Sequence, residues 1–211
     1  MGALIPAIII AVLTATVSST ADQAVLRIAL LVDTSAGTRE DFPQLRRGLT
    51  ALLAAIPDDQ EVALISTGRR VETRVPPTLD RKKLQNSVNG LLPGDGPTPL
   101  MDAILEVDER FMRNAGNRSP LFVIITGDGS ESSRLVEGEM FNRWLTTLRQ
   151  RSVVAHAIVL KKGNGIPEVI AAAVARITDG HFEVVGTGAL LATRLQSLGE
   201  QIAASITNPP K

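Results

Sequence analysis

The stretch LRIALLVDTSAG, residues 26–37, joins a largely apolar run to a short polar segment. The run from Leu26 to Val32 has the length and composition of a strand buried on both faces of a sheet. Asp33 and Ser35 follow at once, and Gly37 ends the segment. A carboxylate and hydroxyls at this position are either ligands of a metal ion or the cap of the next helix.

Apolar runs of strand length alternate with stretches of helical periodicity along the rest of the chain. The most apolar run, LFVIIT (121–126), predicts the central strand, and VETRV (71–75) predicts a half-buried edge strand reached through a hairpin. The predicted strands are residues 26–32, 62–67, 71–75, 121–126, 153–160 and 182–185. We therefore expect a doubly wound α/β fold with a mostly parallel six-stranded sheet, helices on both faces and one antiparallel edge strand.

Composition limits the classes of function. The 211 residues are 44% hydrophobic and 21% charged, which suits one large globular domain. Lys and Arg number 22, as do Asp and Glu, so the chain lacks the basic surface of a general nucleic-acid binder. Five Phe, one Trp and no Tyr argue against a base-stacking platform. The absence of cysteine excludes disulfides, thiolate metal sites and cysteine nucleophiles.

The N-terminal segment differs from the rest. Residues 1–21 carry no charged side chain and end in small residues, which is typical of a secretory signal cleaved after Ala21, although no Lys or Arg precedes the apolar run. An uncleaved anchor is one alternative, in which only residues 1–21 would contact a membrane. A buried N-terminal helix is another. Both export interpretations predict a periplasmic, cell-surface or secreted domain over residues 25–205, followed by a tail at 206–211.

Three polar clusters fall at the same end of the predicted sheet. Asp33 and Ser35 follow the first strand, Asp128 follows the central strand, and PGDGPTP (93–99) places Thr98 at the start of a helix. Ligands of open α/β sheets bind beyond the carboxyl ends of the strands. Carboxylate and hydroxyl oxygens suit a hard divalent cation such as Mg²⁺, which keeps several waters in a partial protein shell.

These residues resemble the metal-ion-dependent adhesion site of the von Willebrand factor A family, which is written as Asp-x-Ser-x-Ser, a distant Thr and a distant Asp. DTSAG resembles the first part, GPTPLMDAI (96–104) resembles the family's Gly-Gly-Thr-x-Leu-x-Asp-Ala stretch, and VIITGDGSESS (123–133) resembles its apolar strand ending in Thr-Asp-Gly. The resemblance spans residues 25–205 in order. The wording ITGDGSES and the signal-like segment are most similar to the exported bacterial subgroup related to this domain.

The resemblance implies a protein-binding module rather than an enzyme. Asp33, Ser35, Thr98 and Asp128 would hold Mg²⁺, with Mn²⁺ or Ca²⁺ as alternatives, and the ion would bridge to a carboxylate on a partner protein. No nucleic acid is implied as a partner.

Two positions depart from the family pattern. Gly37 stands where the second Ser is expected, so one hydroxyl ligand is missing. Gly127 separates Thr126 from Asp128, and an alignment without a gap would place Gly127 at the last Asp. We prefer Asp128 as the ligand, because a loop insertion of one residue is easier to accommodate than the loss of a carboxylate.

Two other functions compete with this interpretation. A metal-free scaffold of the same fold is favoured by Gly37 and Gly127. A Mg²⁺-dependent phosphohydrolase with Asp33 as nucleophile is disfavoured, because Ser35 stands where a second acid is expected and no Lys follows the other site strands.

The candidate ligands also have purely structural interpretations. Asp33 and Ser35 would cap the following helix, and Thr98 would be the N-cap of a helix that begins with Pro99. Asp102 resembles the family's Asp one turn into this helix, and we expect it to support either the metal ligands or a loop without being a ligand itself. The remaining polar residues with a structural interpretation are Asp95 and Glu131 as solvated loop charges and His156 as a hydrogen-bonded core histidine.

Overall fold

A computed structural model describes residues 25–127, 129–134, 138–160 and 165–207. Within these ranges, six strands form one sheet in the order β3-β2-β1-β4-β5-β6. The strands are β1 (Leu26–Val32), β2 (Glu61–Ser66), β3 (Glu72–Thr78), β4 (Ser119–Gly127), β5 (Val154–Leu160) and β6 (Phe182–Val185). Only β3, at one edge, pairs antiparallel with its neighbour in this sheet. The predicted doubly wound, mostly parallel fold is confirmed.

Helices cover both faces of the sheet. They are α1 (Phe42–Ala55), α2 (Arg81–Asn89), α3 (Leu100–Val107), α4 (Gly138–Gln150), α5 (Ile166–Ile177) and α6 (Gly188–Thr207). Helices α1, α2 and α6 share one apolar cluster, and α3, α4 and α5 share the other. A 3₁₀ turn over Ala36–Asp41 leads into α1, and a π-helical turn over Asp108–Met112 continues α3.

Strand β1 lies at the centre of both cores. Ile28, Leu30 and Val32 belong to one cluster, whereas Ala29 and Leu31 belong to the other. Alternate residues of a strand point to opposite faces, so an apolar residue is needed at every position of a strand covered on both sides. This explains why the run has no polar alternation beyond its first two residues.

The order of the strands reverses between β1 and β4, which are paired in parallel with Val32 opposite Ile125. From β1 the chain proceeds to β2 and β3 on one side and later returns to place β4 on the other. The loops that follow β1 and β4 therefore diverge around a crevice at the carboxyl ends of the strands, where this class of fold binds its ligands.

Several predictions concern residues outside the described ranges. They are the signal or anchor at 1–21, the candidate ligand Asp128, and the end of the predicted tail, residues 208–211. In the described part of the chain, no helix has both the length and the apolar character needed to cross a membrane.

Candidate metal centre

Asp33 follows β1 directly, and only 1% of its surface is exposed. Its Oδ1 accepts a hydrogen bond from the backbone N–H of Ser35 at 2.7 Å. Its Oδ2 accepts one from the backbone N–H of Gly127 at 2.9 Å and one from the hydroxyl of Thr126 at 3.1 Å. The ends of β1 and β4 thus hold the carboxylate in one orientation at the switch point of the sheet.

The Asp33 carboxylate has no cationic partner among the side chains that the structure describes. Asp108, the other buried acid in these ranges, is different. Arg151 contacts both of its oxygens at 2.8 Å, Arg113 lies at 3.3 Å and the Trp144 indole N–H donates at 2.8 Å. A buried carboxylate is costly unless hydrogen bonds and an opposite charge compensate it. Asp33 has the hydrogen bonds, and a bound cation would supply the charge.

Ser35 combines the two roles that the sequence leaves open. It is 1% exposed and is the N-cap of the 3₁₀ turn, where its Oγ accepts the N–H of Gly37 at 3.3 Å. A hydroxyl oxygen has two lone pairs, so this bond leaves one of them for a cation. Capping and metal ligation are therefore compatible at Ser35.

Thr98 is fully buried, and its hydroxyl donates a hydrogen bond to the hydroxyl of Thr67 at 2.9 Å. Because its proton is used in this bond, the Thr98 oxygen keeps its lone pairs for a cation. The interpretation of Thr98 as the N-cap of α3 is wrong. Pro99 occupies the cap position, and no side-chain hydrogen bond caps the helix.

Backbone hydrogen bonds join the loops that carry these residues. Thr98 also forms an isolated parallel bridge with Glu131, which ties the loop before α3 to the loop after β4. The bonds run from Gly94 N–H to Thr34 O at 2.5 Å, Ala36 N–H to Gly96 O at 3.1 Å, Thr98 N–H to Ser130 O at 2.9 Å and Ser132 N–H to Thr98 O at 2.9 Å. The three clusters predicted from the sequence thus lie in loops that contact one another.

Gly37 stands at the position of the missing second Ser. A Cβ built on Gly37 would lie 3.1 Å from the N and 3.2 Å from the Cα of Gly129. A Cβ on Gly127 would lie 3.2 Å from the carbonyl carbon of Gly37. The loop after β4 therefore approaches the 3₁₀ turn closely, backbone against backbone. Asp128 belongs to this loop but lies outside the described residues, so its role as a ligand stays a prediction.

Asp102 and Glu131 hold the loop after β4 against the start of α3. Asp102 Oδ2 accepts the N–H of Arg134 at 3.0 Å, and its own N–H donates to Ser133 Oγ at 3.0 Å. Glu131 accepts the N–H of Ser133 at 2.9 Å, the N–H of Met101 at 3.4 Å and the hydroxyl of Ser133. Loop support is thus found for Asp102, whereas the prediction that Glu131 is only a solvated charge is wrong.

His156 lies away from this site, on β5. Burial, and to a smaller extent the nearby His181, lowers its pKa from 6.5 to about 4. The backbone N–H of His181 donates to its Nδ1 at 2.9 Å. His156 is therefore a neutral, hydrogen-bonded structural histidine, as the sequence predicts.

In the described ranges, no group of three or more His, Cys, Asp or Glu side chains could hold a metal ion. The candidate site is of another kind, because one carboxylate and two hydroxyls dominate it. These oxygen donors fit a hard cation that keeps water in its shell, and they do not fit a site for a soft metal. Fold and donors together define a doubly wound α/β domain with a candidate cation site at its switch point.

Residues 28–131 match the sequence model of the von Willebrand factor type A domain. Over this region, which is just under half of the chain, the sequence is similar to the von Willebrand factor type A family, and its structural neighbours are proteins of that family. A comparison with curated proteins finds no match.

Solved structures of similar fold include three from different sources. A von Willebrand factor type A protein from Catenulispora acidiphila has a TM-score of 0.68 at 12% identity, covering 87% of this chain and 43% of that one. Proximal thread matrix protein 1 from the mussel byssus, with a zinc-occupied MIDAS motif, has a TM-score of 0.67 at 14% identity, covering 86% and 46%. This chain thus spans less than half the length of either protein.

The third structure is the von Willebrand factor domain of the type V pili tip protein Mfa5 from Porphyromonas gingivalis. Its TM-score is 0.64 at 10% identity, with 90% of this chain and 98% of that chain covered. At such identities the three structures establish the fold alone. The neighbours nevertheless include metal-binding and pilus proteins of this family.

Proposed function

We propose that this chain is an exported protein-binding domain that uses a divalent cation to bind a carboxylate on a partner protein. Mg²⁺ is the first candidate, with Mn²⁺ and Ca²⁺ as alternatives. Asp33, Ser35, Thr98 and Asp128 would hold the ion. The observation that carries the proposal is the buried Asp33 carboxylate, which has three hydrogen-bond donors and no cationic partner among the described side chains.

The partner's chemistry follows from the donor set. A hard cation with a partial protein shell completes its coordination with water, and a carboxylate oxygen of a partner can take the place of one water. The match to the family's sequence model supports this type of site, and so does the similar fold whose MIDAS motif is occupied by zinc. The family consists chiefly of interaction modules, and the proposal therefore includes no enzymatic step.

Calorimetric titration of the 211-residue chain with Mg²⁺ and Mn²⁺, with and without acetate as a carboxylate mimic, tests the proposal. The wild type is compared with Asp33→Ala, Asp128→Ala and a control, Glu139→Ala, whose side chain is 91% exposed on α4. We expect saturable heat in the wild type and the control, and none in the two aspartate variants. No heat from the folded wild type at millimolar metal would overturn the proposal.

A metal-free scaffold is the second candidate. The close approach of Gly37 and Gly129 favours it, because the backbone of one loop fills the space that a ligand side chain would use. Such a domain would bind its partner equally well in Mg²⁺ and in EDTA. The same titration separates the two candidates, since the scaffold gives no heat with either metal.

The export part of the proposal rests on residues 1–21. Similarity to the domain of a pili tip protein is compatible with it. Cleavage after Ala21 would give an exported protein whose mass corresponds to a chain beginning at Asp22. An uncleaved anchor would give the full mass in the membrane fraction. Recovery of the full-length chain in the cytoplasmic fraction alone would contradict export.

A further inference from the structure

An open groove of about 570 Å³ borders the loop that carries Thr98. Pro97 and Pro99, on either side of Thr98, form part of its wall. Three arginines also line it: Arg69 and Arg70 from the hairpin between β2 and β3, and Arg134 from the loop after β4. These cations come from two segments that are far apart in the sequence, and the candidate metal centre lies beside them.

Hydrogen bonds and backbone contacts join the hairpin that carries Arg69 and Arg70 to the candidate metal centre. Thr67, which accepts the Thr98 hydroxyl, lies two residues before Arg69. The N–H of Arg69 donates to the carbonyl of Pro97 at 2.8 Å, and a Cβ built on Gly96 would lie 3.1 Å from the Cβ of Arg69. These contacts hold the base of the Arg69 side chain at the edge of the site.

Arg69 has a backbone φ of 58°, in the left-handed region that favours glycine or asparagine. The guanidinium of Arg69 lies at the surface: the side chain is 73% exposed, and its one ion pair among the described residues is with Asp95, itself 71% exposed. An exposed ion pair of this kind contributes little and exchanges easily. A strained backbone that carries an exposed cation beside a candidate binding site points to a role in binding.

The acidic residues of the groove are already engaged. Glu106 forms an ion pair with Arg110 at 2.6 Å, and Asp102 accepts the backbone N–H of Arg134. Within the described ranges, the side chains of Arg70 and Arg134 form no ion pair. The lining of the groove therefore carries three guanidinium groups against two carboxylates, which leaves an excess of positive charge for an acidic ligand.

We propose that this groove binds a second acidic side chain of the partner segment whose first carboxylate completes the metal site. The inference rests on the proposed function and names the partner's chemistry, a protein segment with two closely spaced carboxylates. Arginine suits this role because its planar fork pairs with a carboxylate through two hydrogen bonds. The metal would select for one acid, and Arg69, Arg70 and Arg134 would select for its acidic neighbour.

Fluorescence anisotropy with labelled Gly-Ser peptides tests the inference on the 211-residue chain. The peptides contain one glutamate, or two glutamates at varied spacing, and are titrated in Mg²⁺ and in EDTA. The groove variant is Arg69→Gln/Arg70→Gln/Arg134→Gln. The matched control is Arg47→Gln/Arg143→Gln/Arg149→Gln, which removes three exposed arginines outside the groove.

We expect the best peptide with two glutamates to bind the wild type and the control about tenfold more tightly than the peptide with one, equivalent to ~1.4 kcal/mol. The groove variant should lose this preference and keep its Mg²⁺-dependent affinity for one glutamate. Equal binding of both peptide types by the wild type in Mg²⁺ would overturn the inference and leave the proposed function intact.

The other outcomes are also decisive. An arginine-dependent preference for two glutamates that persists in EDTA would support the groove and overturn the metal-dependent function. Absence of binding to every peptide would overturn both the inference and the proposed function.

Vesicles containing phosphatidylserine are titrated in parallel with the same proteins. Arginine-dependent binding to these vesicles, without any preference among the peptides, would overturn the inference in favour of a membrane surface.

Discussion

The hydroxyl of Thr98 donates a 2.9 Å hydrogen bond to the hydroxyl of Thr67, and both side chains are buried. Thr67 follows the last residue of β2, and its N–H donates to the carbonyl of Val32, the last residue of β1, at 2.9 Å. A position fixed by the sheet thus determines where the Thr98 proton points. Strand β2 contributes to the candidate site although it supplies none of the predicted ligands.

Replacement of Thr67 by valine should weaken Mg²⁺ binding about tenfold, because a partner that orients a ligand typically changes metal affinity by about 10- to 100-fold. The free energy of unfolding without metal should fall by about 1 kcal/mol, since a buried hydroxyl loses its acceptor. Calorimetry and denaturant unfolding measure the two effects. Thr193→Val, at an exposed position of α6, is the control, and unchanged Mg²⁺ affinity in Thr67→Val would contradict the orienting role.

The sequence predicts the sheet well where burial is complete. Strands β1 and β4 are apolar at almost every position, because helices cover both of their faces. Edge strand β3 is less predictable. It continues through Pro76 and Pro77 to Thr78, beyond the predicted end, and a sequence with two prolines normally argues against a strand. An edge strand tolerates them because one side of it has no ladder to which an N–H must donate.

The residues of the candidate site also differ in how far the sequence predicts them. Asp33, Ser35 and Thr98 stand out because their spacing resembles a known motif, whereas Thr67 belongs to no motif and matters only through the pairing of β2 with β1. The prediction of Thr98 as a helix cap fails for a related reason. Its backbone is engaged in the bridge to Glu131, so α3 begins one residue later and the hydroxyl turns to Thr67. Both the role of Thr67 and the position of Thr98 thus depend on contacts between segments that are distant in the sequence.

Mg²⁺ should stabilise the folded protein if Asp33 helps to hold it. A ligand that binds only the native state adds about 2.7 kcal/mol to the free energy of unfolding at roughly 100 times its dissociation constant. Urea unfolding with Mg²⁺ and with EDTA measures this gain. Asp33→Asn should abolish it and Glu139→Gln should retain it. A gain of equal size in Asp33→Asn would locate metal binding elsewhere.

Two substitutions at Gly37 separate the cost of a Cβ from the benefit of a hydroxyl. Gly37→Ala and Gly37→Ser both place a Cβ against Gly129, so each should lower the metal-free free energy of unfolding by about 1 kcal/mol. Only Ser adds a hydroxyl at the position where the family has a ligand. Calorimetry should therefore give tighter Mg²⁺ binding for Ser than for Ala. Equal affinities would mean that this position does not reach the ion.

His156 makes stability depend on pH. In the unfolded chain it binds a proton near its ordinary pKa of 6.5, whereas in the folded protein burial lowers this pKa to about 4. Between these values the unfolded state holds more protons, so stability falls as pH falls from 6.5 to about 4. The contribution is fully present above pH 6.5, and its loss is at most about 1.4 kcal/mol per pH unit.

His156→Asn removes the titration and keeps an acceptor for the His181 N–H. Denaturant unfolding of wild type and variant at several pH values isolates this one group, because the carboxylates titrate alike in both proteins. We expect the difference in their free energies of unfolding to be constant above pH 6.5 and to shift steadily against the wild type between pH 6.5 and about 4. A difference that stays constant across that range would mean that folded His156 accepts its proton near its ordinary pKa, and that the hydrogen bond from the His181 N–H does not keep the ring neutral.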